Sequence, residues 1–501
     1  MLGPMQFRFL NQARILTARG GWNDSSIEKL WLYNLHYFDD LNASQADERI
    51  EWHQVLIERW LIENPPTLGN GWEPYPTSLR IVNWVKWLIN GNAAVPGMLK
   101  SLALQASWLA KRLEWHLLGN HLFVNAKALV FAGLFFEGPK ASAWLRTGLK
   151  IIKDELPEQV LADGGNFERS PMYHAIFLED LLDLLNMAGM YADQVPTTLL
   201  VQWRGAVFRM LDWLKGMTHP DGQIALFNDA ALGIAATVDE LAEYADRVLG
   251  TDSVLSGLPR RYEPDNDRND LHLSQWSDSG YIRLECAEAA AILDVAPIGP
   301  DYLPGHAHAD TLSFELSVFG QRVIVNGGTS RYGLGPERLR ERQTVSHSTV
   351  EVGDQSSSDV WGGFRVARRA YPFDLVVSKR PDALSVACSH DGYKRLQGEP
   401  VHRRSWQLCP NHIEVSDSVS GSGWPAVARY ILHPDVGVEL FTPNSFHLKL
   451  PNGKLILVEV NNGSGRLESA SFAPEFGKVL QTQCIAVDLQ NGNAQVRLSW
   501  S

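Results

Sequence analysis

The spacing of apolar positions divides the chain into two regimes. In "SLALQASWLAKRLEWHLLGNH", Leu102, Ala106, Leu109 and Leu113 recur at steps of four, three and four, which marks one helix face. "NHLFVNAKALVFAGLFFEG" is apolar nearly all round, as a helix buried on several sides must be. "YHAIFLEDLLDLLNMAGMY" and "LLVQWRGAVFRMLDWLKGM" follow the same logic, and Gly, Asn and Pro breaks between such segments predict helical hairpins. Further on the period falls to two. "GYIRLEC", "AAAILDVA", "LSFELSVFGQRVIVNGG", "HSTVEVG", "SWQLCPNHIEVSDSV", "KLILVEV" and "AQVRLSW" predict short strands in series, hence an antiparallel sandwich. "SVFGQRVIV" reads as a hairpin turning at Gly320–Gln321. Between the two regimes "TDSVLSGLPRRYEPDNDRNDLHLSQWSDSG" is polar and rich in Pro, Asp and Asn, which predicts a linker or irregular crossing. The expected architecture is α+β multidomain, with a helical domain over residues 1–255 and an antiparallel β-sandwich over residues 256–501.

Composition narrows the function. A chain of 501 residues exceeds one ordinary core, which agrees with two domains. The net charge of -12 argues against a nucleic-acid partner but leaves an acidic ligand open, because only the local field of a site acts on it. "MLGPMQFRFLNQARIL" has neither an apolar h-region nor a cleavage pattern, so the default location is cytoplasmic, with a periplasmic or secreted one left open. No uncharged apolar run is long enough to suggest a membrane span. Cys286, Cys388, Cys409 and Cys484 are far apart and read as free thiols. Twelve of the 17 tryptophans precede residue 220; most should pack between helices, and aromatics at the mouth of a ring of helices would also suit sugar faces.

Four patches could carry chemistry. "GHAHADTLSF" holds His306, His308 and Asp310 at alternate positions, on one face if the segment is extended, ahead of Leu312, Phe314 and Leu316 as core residues. "GNHLFVNAKAL" puts Asn120 and His121 at a helix start, where Asn is a good N-cap and free N–H groups suit a carboxylate. "DGGNFERSPMYHAIF" puts Tyr173 and His174 at another, and its Asp163 and Glu168 could instead be the paired carboxylates of a glycoside hydrolase. In "SRYGLGPERLRERQTVSHSTVEV", Arg331, Arg338, Arg340 and Arg342 crowd the approach to His347 and suggest an anion-facing loop.

The order of these patches, Asn-His on a helix start, "ERSPMYH", "GHAHAD", "VIVNGGTSRYG" and a later "SHST" strand, resembles the heparinase II/III-like family of polysaccharide lyases. The resemblance runs from "LWLYNLHYFDDL" and "WEPYPTSLRIVNW" to about "RVARRAY". It implies an incomplete (α/α) toroid followed by an antiparallel β-sandwich, and β-elimination on a uronate-containing acidic polysaccharide, either glycosaminoglycan-like or a bacterial exopolysaccharide. It also implies that Asn120 and His121 neutralise the uronate carboxylate and that Tyr173 and His306 are the acid–base pair. Trp72, Tyr75, Arg80 and Arg342 are candidate substrate contacts, and Arg365, Arg368 and Arg369 in "FRVARRA" would suit a polyanion.

The same resemblance makes His308 and His347 ligands of one divalent metal, usually zinc and in a structural role, with no organic cofactor. Where the family has an aspartate as third ligand this chain has Asn326, a weaker donor. Either the site is weaker, Asp310 substitutes, or the region is held by hydrogen bonds alone. Two rival readings stand: the hydrolase using Asp163 and Glu168, and a non-catalytic glycan-binding or polysaccharide-assembly protein on the same scaffold. The oligomeric state is left open.

Overall fold

The computed structural model describes the chain from Met1 to Ser501 apart from Ala18, residues 251–270 and Ser422. The described residues form two compact units, one of Met1–Gln159 with Glu179–Gly205, the other of Val160–Leu178 with Ala206–Ser501. The expected boundary at 255 therefore does not coincide with the division by packing. Trp213, Met217, Ala225 and Phe227 share one small core with Trp276, Tyr281 and Ile292 of the strand region, which ties these helical-half residues to the sheets. Most of the expected linker lies outside the described residues.

The first unit is helical. Its main helices are Ile50–Glu63, Pro74–Ile89, Met98–Leu109, Gly119–Phe135 and Pro139–Gln159. Trp22, Trp31, Trp60, Trp84 and Trp87 are fully buried, so these aromatics pack between elements as expected. Gly119–Phe135 is buried continuously from Leu122 to Leu134, which explains its lack of a polar face. It approaches Pro139–Gln159 closely at two glycines: a Cβ on Gly133 would lie 2.6 Å from the Leu145 nitrogen, and one on Gly148 2.6 Å from the Ala126 oxygen. The helix Met98–Leu109 is shorter than its apolar spacing predicts. The chain leaves it through tight turns (Lys111 N–H to Trp108 O, 3.1 Å; Arg112 N–H to Leu109 O, 2.8 Å), so Leu113 falls beyond it.

In the second unit every strand pair within the sheets is antiparallel. A five-stranded sheet runs in sequence order from His272–Trp276 to Gln321–Ile324, beside an eight-stranded and a four-stranded sheet. Leu312, Phe314, Leu316, Val386, Trp406, Tyr430 and Val496 belong to one apolar core, which confirms the inward face read from "TLSFEL". The hairpin turn is displaced by one residue from expectation. Val318 pairs with Gln321, leaving Phe319 (φ 53°) and Gly320 (φ 75°) as the turn, both in the left-handed region that matches strand twist. Phe319 accepts this conformation because its ring packs against the core. Among the described residues, no helix is long and apolar enough to cross a membrane, and all four cysteines are free thiols.

Candidate active site

The strand expected at "GHAHADTLSF" begins only at Phe314; the residues before it are irregular, with Leu312 at φ 64°. His306, His308 and Asp310 converge nonetheless, because all three bond to the turn Asn228–Asp229. Nδ1 of His306 lies 2.9 Å from one Asp229 oxygen, and Nε2 of His308 lies 2.8 Å from the other. The Asp310 carboxylate accepts the Asn228 N–H at 3.0 Å, and the Asn228 side-chain oxygen accepts the His308 N–H at 3.0 Å. Since a carboxylate only accepts, each histidine nitrogen facing it carries the proton. The Asp229 contact thus occupies His306 Nδ1, so the lone pair of the neutral imidazole lies on Nε2.

Asp229 is fully buried and is gripped from its far side by the equally buried Arg338, whose Nη1 and Nη2 donate to the two oxygens (the second at 2.7 Å). Burial alone would raise the Asp229 pKa, but Arg338 and the two histidines hold it well below the usual carboxylate range. Neither Asp229 nor its role was legible in the sequence. Its signal was the Asn-Asp pair of "ALFNDAAL", a turn former that carries no periodicity.

Tyr173 sits in the first turn of the helix Pro171–Met190, whose N-terminus is capped by the Ser170 hydroxyl accepting the Tyr173 N–H at 3.2 Å. Its ring lies 4.0 Å, centroid to centroid, from the His306 imidazole, so the two residues named as an acid–base pair are in contact. The Tyr173 hydroxyl is 2.8 Å from that of Tyr332, a second phenol that the sequence did not single out. Burial, then the neighbouring Tyr332 and Asp229, push the Tyr173 hydroxyl well above its ordinary value.

The arginine loop is a correction. Arg338 and Arg342 are fully buried struts rather than anion-facing groups. Arg342 donates to the Ala307 carbonyl from Nε (3.1 Å) and Nη2 (2.9 Å), so it braces the histidine segment from behind and is not placed to touch substrate. Arg331 is half-exposed and pairs with Glu337 at 3.8 Å.

In the first unit, Asn120 and His121 occupy the first turn of Gly119–Phe135, but Asn120 is not the cap. That position belongs to Leu118, at φ 56° and ψ -158° with no side-chain cap, followed by Gly119 at φ 51°. Asn120 instead donates to the Tyr75 hydroxyl at 3.2 Å, and the Tyr75 ring lies 4.6 Å from that of His121. His121 Nδ1 is 3.2 Å from Glu114, whose other oxygen accepts from Asn125 at 3.0 Å. The His121 side chain is 39 % exposed, and only its Nδ1 is taken up by Glu114. Tyr75 thus touches both Asn120 and His121, whereas Trp72 and Arg80 are engaged elsewhere. Trp72 is buried with its indole N–H on the Asn64 carbonyl (3.3 Å). Arg80 is fully buried, donating to Gln105 (2.9 Å), the His36 carbonyl (3.2 Å) and the Gly71 carbonyl (2.6 Å). Both are packing residues, which corrects their assignment as substrate contacts.

The three expected metal donors do not face one point. His308 Nδ1 lies 3.3 Å from His347 Nε2, but the Asn326 oxygen lies 3.3 Å from His347 Nδ1, across the ring, where it also accepts the Ser348 N–H at 3.2 Å. The buried Asn326 amide nitrogen has no partner among the described residues, and a donor N–H does not ligate a cation. Asp310 is engaged with Asn228, and no cluster of three or more His, Cys, Asp or Glu suited to a metal occurs among the described residues. Structural zinc takes four ligands, so these residues do not fit it. Burial lowers the His308 pKa to about 4 and that of His347 well below its ordinary value.

The alternative carboxylate pair is likewise structural at one end. Asp163 accepts the Ser279 N–H (2.7 Å) and hydroxyl (2.9 Å) on one oxygen and the Gly165 N–H (3.0 Å) on the other. This tethering leaves it unsuited to activate water, a correction to the hydrolase reading.

Residues 44–249 match the family model "Heparinase II/III N-terminus" and residues 269–500 match "Heparinase II/III-like, C-terminal". The chain is 25% identical over 325 residues to a heparin-sulfate lyase of Bacteroides stercoris, covering 61% of this chain and 44% of that one. It is equally 25% identical over 337 residues to FtsZ-localized protein C of Caulobacter vibrioides, covering 62% and 53%. The chain thus spans about half the length of the curated relatives it matches. Among solved structures, heparinase III shares the fold at a TM-score of 0.73 and 19% identity, covering 98% of this chain and 78% of that one.

Proposed function

Because this chain belongs to the heparinase II/III-like family, we propose that it cleaves a uronate-containing acidic polysaccharide by β-elimination. Its relatives named heparin-sulfate lyase favour a glycosaminoglycan-like substrate. The observation that carries the reading is the contact between Tyr173 and His306, with Asp229 bonded to Nδ1 so that Nε2 is the ring nitrogen turned to other work.

A uronate has a weakly acidic C–H beside its carboxylate and a glycosidic oxygen β to it. In this reading His306 Nε2 takes that proton as general base. The electrons of the broken C–H bond form the new C=C bond, and the bond to the glycosidic oxygen breaks. The Tyr173 hydroxyl gives its proton to the departing oxygen. Holding a free phenol as phenolate at pH 7 costs about 4 kcal/mol. Burial raises that cost, which favours Tyr173 as acid over Tyr173 as base. Asn120 and His121 are assigned to the uronate carboxylate, where hydrogen bonds strengthen as negative charge develops during proton loss. No step runs through a metal.

A panel of uronate polymers (heparan, chondroitin, hyaluronan, alginate, bacterial capsules) tests the reading, since elimination leaves an unsaturated uronate that absorbs in the ultraviolet. Tyr173→Phe should lower kcat by about 10²–10⁴-fold with the fold intact, as expected for loss of one acid–base group. Full activity in that variant would remove Tyr173 from the chemistry. A second reading is a non-catalytic glycan-binding or assembly protein; it is kept because a relative at the same identity is named FtsZ-localized protein C, a name that carries no lyase activity. Retention of a uronate polymer without any ultraviolet product would select it.

A further inference from the structure

The basic segment "FRVARRA" looks uniform in sequence, yet its arginines are not equivalent. Arg368 pairs with Asp359, Arg369 pairs with Asp301 at 2.6 Å, and the nearby Arg395 shares Asp359 at 3.4 Å. Arg365 is exposed and has no carboxylate partner among the described residues. Its guanidinium instead lies 5.2 Å from the ring centroid of Trp361, which is 52 % exposed. The two residues are directly opposite in a small hairpin, Asp359–Trp361 with Arg365–Ala367, so they share a face.

This hairpin is built into the candidate site. Its tip carbonyls are held from below by the two buried arginines: Gly363 O accepts from Arg338 Nε (3.2 Å) and Nη2 (3.1 Å), and Gly362 O from Arg342 Nη1 (3.4 Å). A Cβ on Gly363 would lie 2.6 Å from the Gly333 oxygen, so the tip is close-packed on the segment after Tyr332. Phe364, beside the tip and 43 % exposed, sets its ring edge-on to His306 (5.9 Å) and Tyr332 (5.3 Å). A large apolar ring is thus kept in water next to the residues of the proposed reaction, and an unmatched cation next to a second such ring.

We propose that this hairpin is a binding subsite for a sugar of the same acidic polymer, lying beyond the reacting uronate. Trp361 stacks on the pyranose face and Arg365 takes an anionic substituent, sulfate or carboxylate, on that sugar. Phe364 forms the wall between this subsite and the Tyr173–His306 pair. The inference rests on the acidic-polysaccharide reading above and adds to it a charged sugar at a specific neighbouring position.

The test is calorimetric binding of a heparan sulfate hexasaccharide, and of its desulfated, N-acetylated counterpart, to the Tyr173→Phe protein with and without Trp361→Ala or Arg365→Ala. Each added substitution should weaken the sulfated hexasaccharide about tenfold. Desulfation should shrink the Arg365→Ala effect and leave that of Trp361→Ala, whereas an undiminished Arg365→Ala effect would assign the anion to a carboxylate of the same sugar. In the parent enzyme the loss should fall on KM rather than kcat. Unchanged affinity in both variants, or no measurable binding at all, overturns the subsite. The lyase reading fails separately: a wild-type protein that yields no ultraviolet product but binds through Trp361 and Arg365 keeps the subsite and loses the chemistry. A wild-type enzyme that eliminates with KM unmoved by either substitution does the reverse.

Discussion

Two histidines of the proposed chemistry are each held by a carboxylate at Nδ1, yet the two pairs are built differently. In the first unit His121 leans on Glu114, seven residues away in sequence, and among the described residues the Glu114 carboxylate otherwise accepts only from the Asn125 side chain, whose oxygen in turn accepts the Glu114 N–H. In the second unit His306 leans on Asp229, 77 residues away, and Asp229 also serves His308, Thr329 and both arms of Arg338. Glu114 has no arginine or lysine partner among the described residues, whereas the Asp229 charge is matched inside the protein. The first pair is therefore a local clamp on a half-exposed ring, the one proposed to meet the uronate carboxylate. The second is a buried hub on which several chain segments depend, so disturbing it should cost both fold and function.

Substituting the hub should produce the largest effect. Asp229→Asn leaves Arg338 as an uncompensated buried charge, which typically costs about 3–5 kcal/mol, visible as a fall in the denaturation midpoint. It also turns one of the two oxygens that face His306 and His308 into an N–H donor, so the His306 tautomer is no longer fixed and a loss of about 10³–10⁴-fold in kcat is expected. If Glu114→Gln proved equally destabilising, the distinction between hub and clamp would collapse.

A matched pair of buried histidines tests whether the two units share an acid limit. His36 in the first unit and His174 in the second each accept an N–H at Nδ1 (from Trp60 at 3.0 Å and from Asn166 at 3.2 Å) and present Nε2–H to a carbonyl. Burial lowers both pKa values to about 3. Since the unfolded imidazole titrates near 6.5, the unfolded state gains protons first as pH falls. Stability should therefore be complete above about pH 6.5 and decline steadily toward about pH 3. Between pH 7 and pH 5 the loss is about 2 kcal/mol for each ring, readable in chemical denaturation at the two pH values.

Glu114→Gln comes next, with a loss of about tenfold in kcat/KM and less than about 1 kcal/mol in stability, because the clamp touches one side chain beyond His121. The smallest effect belongs to metal removal. Because Asp229 and Arg338 hold the histidine cluster and the donors do not converge on a cation, exhaustive chelation should leave the melting temperature unchanged within about 1 °C. A fall of several degrees would mean that a cation shares the work of the hub.

The parts of this structure that the sequence announced are those encoded by period or by local motif. The buried helix Gly119–Phe135, the strand pattern of "TLSFEL", and the helix-start position of Tyr173 all follow from neighbours within a turn or two. The parts it concealed depend on distant partners. Asp229 lies in a turn with no periodicity, and its partners are 77 to 109 residues away. Arg338 and Arg342 read as solvated or anion-facing charge, because nothing local reveals that Asp229 and the carbonyls of Ala307, Gly362 and Gly363 will bury them. The turn at Phe319–Gly320 was displaced for a similar reason: a core contact outweighed the preference of a phenylalanine for negative φ.

Leu118 holds a backbone conformation close to one used almost solely by glycine, just before the residues assigned to the carboxylate. Such a residue stores about 1–3 kcal/mol. Replacing it with glycine would release that tension and make the protein harder to melt, while letting the helix start wander. Selection for heat tolerance alone would therefore be drawn to this position and return a sturdier but slower variant. A residue can thus reveal its importance by being the one whose improvement does harm.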